Sequence, residues 1–111
     1  MTPRQTELLQ GTLDMLILKA LALGPRHGFG VGRWIEEVTG GKLLVEEGAL
    51  YPALHRMHRR GWIDAEWGQS ESNRRAKFYT LTPDGRAALE QRMTNWQDAS
   101  AAVAQVLEAQ G

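Results

Sequence analysis

The chain has 111 residues and no cysteine, which allows a small domain with a modest core and excludes disulfides and thiolate metal sites. Thirteen Lys and Arg balance thirteen Asp and Glu, so net charge gives no sign of a nucleic-acid partner. The distribution does: between residues 48 and 82 six basic side chains stand against three acidic ones, a local excess of three positive charges on an otherwise acidic chain.

Taken in chain order, the first periodic segment runs from about Leu8. Leu9, Leu13, Leu16, Ile17, Ala20 and Leu21 recur at helical spacing, with Leu18 and Leu23 off the stripe. A helix apolar on more than one side needs cover on more than one side, from elsewhere in the molecule or from another subunit. The most apolar run, 13–23, is broken by Asp14 and Lys19 and is too short to span a bilayer. The N-terminal residues lack a signal-peptide pattern, so the expectation is a cytoplasmic protein with no membrane partner. Residues 24–28, Gly-Pro-Arg-His-Gly, read as a turn. A second helix is expected over about 28–38, with Phe29, Val31, Trp34, Ile35 and Val38 as its apolar set. Gly28, Gly30 and Gly32 weaken its propensity, so packing must hold it. They form no phosphate loop, because the spacing is wrong and no strand is predicted before them. Gly40-Gly41 stops this helix, and 42–45 is a short extended or turn segment.

Residues 48–61 carry the most information. Leu50, Leu54 and Met57 make an apolar stripe, while Tyr51, His55, His58 and Arg59 share an adjacent side with Arg56 further round. Pro52 is expected in the first turn of a helix that begins near Gly48, and Gly61 suits its stop. On its own the basic side fits a solvated surface helix as well as a helix that docks on a polyanion. After Gly61 the period changes from helical to alternating. Residues 62–67 place Ile63, Ala65 and Trp67 on one face and Asp64 and Glu66 on the other; residues 76–82 alternate with Tyr79 and Leu81 inward. These are two strands of an antiparallel hairpin whose polar connection, 68–75, ends in Arg74-Arg75. Thr82-Pro83 then reads as N-cap and first position of a helix reaching about Gln110. Leu89, Met93, Trp96, Val103 and Leu107 follow coiled-coil-like spacing, with Ser100 in the polar slot. Such a helix is too long to lay its whole seam on so small a domain, and a second copy is the simplest partner.

The fold class is therefore mainly α with a small β-hairpin (α+β): a winged helix-turn-helix DNA-binding domain over 1–82, and a C-terminal dimerisation helix over 83–111. Gly48-Ala-Leu-Tyr-Pro-Ala-Leu-His-Arg-Met57, Gly61-Trp-Ile63, Glu66-Trp67, Asn73-Arg-Arg-Ala-Lys-Phe-Tyr-Thr-Leu-Thr-Pro-Asp-Gly85 and the earlier His27-Gly28-Phe29 together resemble the signature of PadR-type transcriptional regulators, in their short form with one C-terminal helix. Phe29 and Phe78 stand where that family often has Tyr, and Met57 where it often has Leu. The resemblance implies a homodimeric, sequence-specific regulator, usually a repressor, on palindromic or near-palindromic double-stranded operator DNA, commonly released by a small molecule, often a small aromatic or drug-like effector, or by another cellular signal. It implies no cofactor.

Within that frame Tyr51 is expected at a phosphate or base edge, and His55, Arg56 and Arg59 at bases or phosphates, where an arginine can be bidentate to guanine. Arg74, Arg75 and Lys77 are expected at phosphates, with Ser70 and Asn73 as neutral phosphate contacts. Trp96 has two readings: a dimer-core residue, or one wall of an intersubunit cavity where a flat ligand stacks. Trp34, Trp62 and Trp67 read as core or hairpin residues. His55 and His58 are three residues apart, but without Cys or nearby paired carboxylates they do not make a metal site. No nucleophile, base and carboxylate set points to an enzyme. The alternative function is a dimeric winged-helix module that uses the same surface on a protein partner.

Overall fold

The computed structural model describes residues 10–111. Its elements are α1 (Gln10–Ala22), β1 (Arg26–His27), α2 (Gly28–Val38), α3 (Glu47–Arg59), β2 (Ile63–Gln69), β3 (Arg75–Leu81) and α4 (Pro83–Glu108). The expected start of α1 near Leu8, with Leu9 on its stripe, lies outside the described residues. The three strands form one antiparallel sheet in the order β1-β3-β2. Among the described residues no helix is long and apolar enough to cross a membrane.

The centre of the molecule is α1. Leu13, Met15, Ile17, Leu18, Ala20 and Leu21 are all buried, so the helix has no single apolar stripe. Its second cover comes from within the chain: α2, α3 and β3 pack against it, and so does the first part of α4. Val31 and Ile35 of α2, Leu50, Ala53, Leu54 and Met57 of α3, Ile63, Tyr79 and Leu89 complete one core.

The turn between α1 and α2 contains a strand that the alternation rule does not reveal. Arg26 and His27 pair with Tyr79 and Phe78 of β3. Arg26 donates from Nε to the Ala20 carbonyl at 3.1 Å, and its guanidinium lies over the Trp34 ring. His27 caps α2, its Nδ1 accepting from the Gly30 N–H at 3.1 Å. That bond supplies an N-terminal acceptor to a helix whose three glycines give it little local stability.

Helix α3 is set by contacts at both ends. Glu36 of α2 accepts from the Val45 N–H just before it, which ties the connecting loop to α2. Pro52 is the sixth residue of α3, not part of its first turn. Its missing N–H leaves the Gly48 carbonyl without an intrahelical donor and its ring crowds that carbonyl, but this turn is exposed and water can take the donor's place. At the other end Gly61, at φ +77, bonds back to His58, and Trp62 to Met57. This paired arrangement needs a left-handed residue, which glycine adopts at little cost. Thr82 then joins three elements. Its hydroxyl accepts from the Gly85 N–H and donates to the Gly61 carbonyl, while its N–H donates to the Trp62 carbonyl. A side chain at Gly85 would overlap the Trp62 carbonyl oxygen, so α4 leaves the core with its first turn pressed against the end of α3.

Beyond that joint α4 lies along α1 as far as about Ala99, and its remaining turns project past the domain. It has 26 residues, about 39 Å of helix, yet only Gly85 and Leu89 are buried along it. It ends at Glu108, two residues short of Gln110.

Candidate nucleic-acid interface

Four inward residues of α3, Leu50, Ala53, Leu54 and Met57, lock one side of the helix to the core. The opposite side is therefore fixed in rotation. It presents Tyr51, His55, His58 and Arg59, all exposed, together with Gly48 and Pro52. Tyr51 is held from behind: a Cβ at Gly28 would lie 2.7 Å from its ring, so the glycine lets the phenol lie close against the start of α2. No carboxylate lies within ion-pair distance of Arg59 among the described residues, where the ion pairs are Arg33 with Glu37 and Arg56 with Asp14. His58 and Arg59 also lie in the last turn, where cations complement the helix dipole.

Arg56 is placed differently from the other basic residues of α3. It turns toward α1 and donates from Nη2 to Asp14 Oδ1 at 3.2 Å. Asp14 is only 1 % exposed, and Arg56 Nε is itself buried without a partner among the described residues. A carboxylate removed this far from water needs its cation, so the geometry gives Arg56 the task of holding α3 against α1. Arg60, at the end of the helix, lies over Trp62, and Arg92 of α4 lies against the same indole, at 5.0 and 5.2 Å.

The wing is longer and its tip tighter than the polar run 68–75 suggests. The β2–β3 ladder continues to Gln69 opposite Arg75, which leaves 70–74 as the tip. There the Asn73 N–H bonds to the Ser70 carbonyl, the Ser70 N–H and hydroxyl both donate to the Arg74 carbonyl, and Asn73 adopts φ +60. Ser70 and Asn73 thus shape the turn, a role that short polar side chains fill well. Arg74 and Arg75 are exposed and Lys77 is half-buried. The inward side of the hairpin begins as expected with Ile63, Tyr79 and Leu81. Trp67, on the same side, projects past the core and is 57 % exposed.

Burial raises the phenol of Tyr79 above its ordinary pKa, and the neighbouring Tyr51 adds to the rise. Tyr79, behind Tyr51, therefore keeps its proton to a higher pH than an exposed tyrosine does.

Trp96 lies away from α3 and the wing, 53 % exposed on the outer part of α4. It lines two shallow clefts between α1 and α4, one with Gly11, Met15, Arg92 and Asn95, the other with Leu16, Lys19 and Met93. Further along, Val103, Val106 and Leu107 are exposed, the last at 79 %.

Residues 17–91 match the family model described as the transcriptional regulator PadR-like family. Among solved structures the chain is similar to a transcriptional regulator from Clostridium thermocellum, at 25 % identity and TM-score 0.81, covering 90 % of this chain and 97 % of that one. It is also similar to a PadR-like transcriptional regulator from Bacillus cereus, at 25 % identity and TM-score 0.79, covering 95 % and 100 %. An uncharacterised protein from Lysinibacillus sphaericus is 24 % identical over 94 residues, 85 % of this chain and 86 % of that protein. With a family match over most of its length and the winged-helix fold of those neighbours, the chain belongs to the PadR-like family of transcriptional regulators.

Proposed function

We propose that the chain is a homodimeric repressor that reads a palindromic operator with α3 and grips the flanking backbone with the wing. The observation that carries this reading is the side of α3 turned away from the core, where Tyr51, His55 and Arg59 stand exposed and Arg59 has no carboxylate within ion-pair distance among the described residues. Tyr51, His55 and Arg59 make the base and phosphate contacts of the reading helix. Arg74, Arg75 and Lys77 meet phosphates and supply salt-dependent affinity rather than sequence choice. Ser70 and Asn73 act by shaping the tip, and Arg56 by fixing the rotation of α3 through Asp14.

In this reading residues 1–82 are the DNA-binding unit and 83–111 the pairing helix. The exposed apolar positions of α4 favour a second copy as their cover, since a monomer would leave Trp96, Val103, Val106 and Leu107 in water. The same pairing would bring two Trp96 rings toward one another beside the α1–α4 clefts. A flat aromatic effector stacking there would change the angle between the two α4 helices. Because α4 is clamped to the end of α3 at Thr82 and Gly85, it would also change the spacing of the two reading helices.

A mobility-shift titration against DNA upstream of its own and adjacent genes, at two salt concentrations, tests the function. Retardation that weakens steeply with salt is expected. Tight binding of a protein partner through the α3 face, with no DNA retardation at low salt, would replace it with an interaction module. For the effector, a ligand that quenches tryptophan fluorescence should lose affinity in Trp96→Ala; unchanged affinity would remove Trp96 from the site.

A further inference from the structure

Trp67 occupies a position where folding does not require an aromatic ring. Along β2 the inward side runs from buried Ile63 to half-buried Ala65 to largely exposed Trp67, because the hairpin extends beyond the core. Opposite Trp67 in the ladder is Lys77, and Arg75 lies two residues along β3 on the same face. Both cations converge on the indole: Arg75 Cζ is 4.7 Å and Lys77 Nζ 5.9 Å from the ring centroid. These distances fall within the range in which the ring quadrupole attracts a cation. Neither cation has a carboxylate within ion-pair distance among the described residues. Glu66, next to Trp67 in sequence, lies on the other face by strand alternation. Arg74, one residue from Arg75 at the tip, has no such aromatic contact among the described residues.

We propose that Trp67 is a positioning residue of the wing, whose ring gathers Arg75 and Lys77 on one face of the hairpin so that they meet neighbouring phosphates of one DNA strand. Long, flexible cations lose rotamer freedom when they bind, and a pair already held against one aromatic ring has less to lose. The ring leaves both positive charges intact while restricting where they point, which an ion pair with a carboxylate would not do. This assignment rests on the DNA-binding reading of the wing. It divides the three basic wing residues into a held pair, Arg75 and Lys77, and a free one, Arg74.

The test uses the full chain, a short mixed-sequence DNA duplex at low salt, and NMR of the free protein. In the free protein the Arg75 Hδ and Lys77 Hε protons should be shifted upfield by the indole and return to ordinary positions in Trp67→Leu. Trp67→Leu should melt with the wild type, because the ring is largely exposed. It should bind the duplex roughly three- to tenfold more weakly, with the salt slope unchanged because no charge is removed. Trp67→Phe should recover most of the loss. Arg75→Gln should cost less in the Trp67→Leu background than in the wild type, while Arg74→Gln should cost the same in both. Absent ring shifts, or strictly additive Trp67 and Arg75 effects in a chain that binds DNA, overturn the inference alone. Ring shifts in a wild-type chain that does not bind DNA overturn the DNA reading of the wing itself.

Discussion

α1 and α4 are both rich in apolar residues, and the fold treats them in opposite ways. α1 is enclosed: Leu18 and Ile17 are fully buried, and α2, α3, β3 and α4 surround them. α4 touches the core only through its first turns and carries Trp96, Val103, Val106 and Leu107 outward. The difference lies in length and placement. α1 has 13 residues and sits where four elements can reach it, whereas α4 has 26, lies beside α1 only as far as about Ala99 and then outruns the domain. One helix completes a monomer; in the proposed function the other completes a dimer. Apolar content therefore does not say what a helix is for, and the site of its cover does.

The largest effect that would sharpen this contrast is on fold stability. Leu18→Ala should cost about 2–5 kcal/mol in urea unfolding, since a fully buried leucine in a well-covered helix leaves a cavity. A loss below about 1 kcal/mol would mean that α1 is not enclosed. Asp14→Asn should cost somewhat less, about 2–4 kcal/mol, because it leaves the partly buried Arg56 guanidinium without its counter-charge on a side chain that water still reaches in part. If Asp14→Asn matches the wild type in stability and in operator affinity, the Asp14–Arg56 pair does not hold the reading helix. On α4 the effect should move from folding to association. Leu107→Ala should leave monomer unfolding within about 0.5 kcal/mol of wild type while weakening self-association by about tenfold in sedimentation experiments. The reverse pattern would place Leu107 in the monomer core. The smallest effect is alkaline. The raised pKa of Tyr79 means that the folded state keeps a proton the unfolded state gives up. Its contribution is complete below the ordinary tyrosine pKa of about 10 and is lost as pH rises through the folded value. Tyr79→Phe should lose less stability than the wild type between pH 9 and about pH 11; an identical pH profile would mean that the phenol is not desolvated.

The parts of this fold that local chemistry governs are legible in the sequence. Gly40-Gly41, Gly61 and Thr82-Pro83 mark where helices stop and start, because each supplies a backbone geometry or cap that few other residues provide. Leu50, Leu54 and Met57 are buried as their spacing requires. What escapes is decided by residues far apart in the chain. β1 is two polar residues long and exists only because Phe78 and Tyr79 offer it a partner. Arg56 looks like Arg59 in sequence, and only Asp14, 42 positions earlier, draws it from the outward face. Trp67 follows the inward alternation of Ile63 and Ala65 but lies past the end of the core, where alternation no longer implies burial. The tip is tighter than its composition suggests because Asn73 takes up a left-handed conformation and Ser70 bonds across to Arg74.

The central claim is that the outward side of α3 reads DNA, and the most direct test is Tyr51→Ala combined with Arg59→Ala in a mobility-shift assay on the upstream operator. Arg59 is exposed and Tyr51 packs only its inner edge on Gly28, so the variant should still fold and self-associate, with a melting temperature lowered by the lost Tyr51 contact. Loss of specific retardation, with salt-dependent binding through the wing retained at low salt, is the predicted result. Specific retardation at wild-type affinity would mean that another face of the molecule meets the DNA.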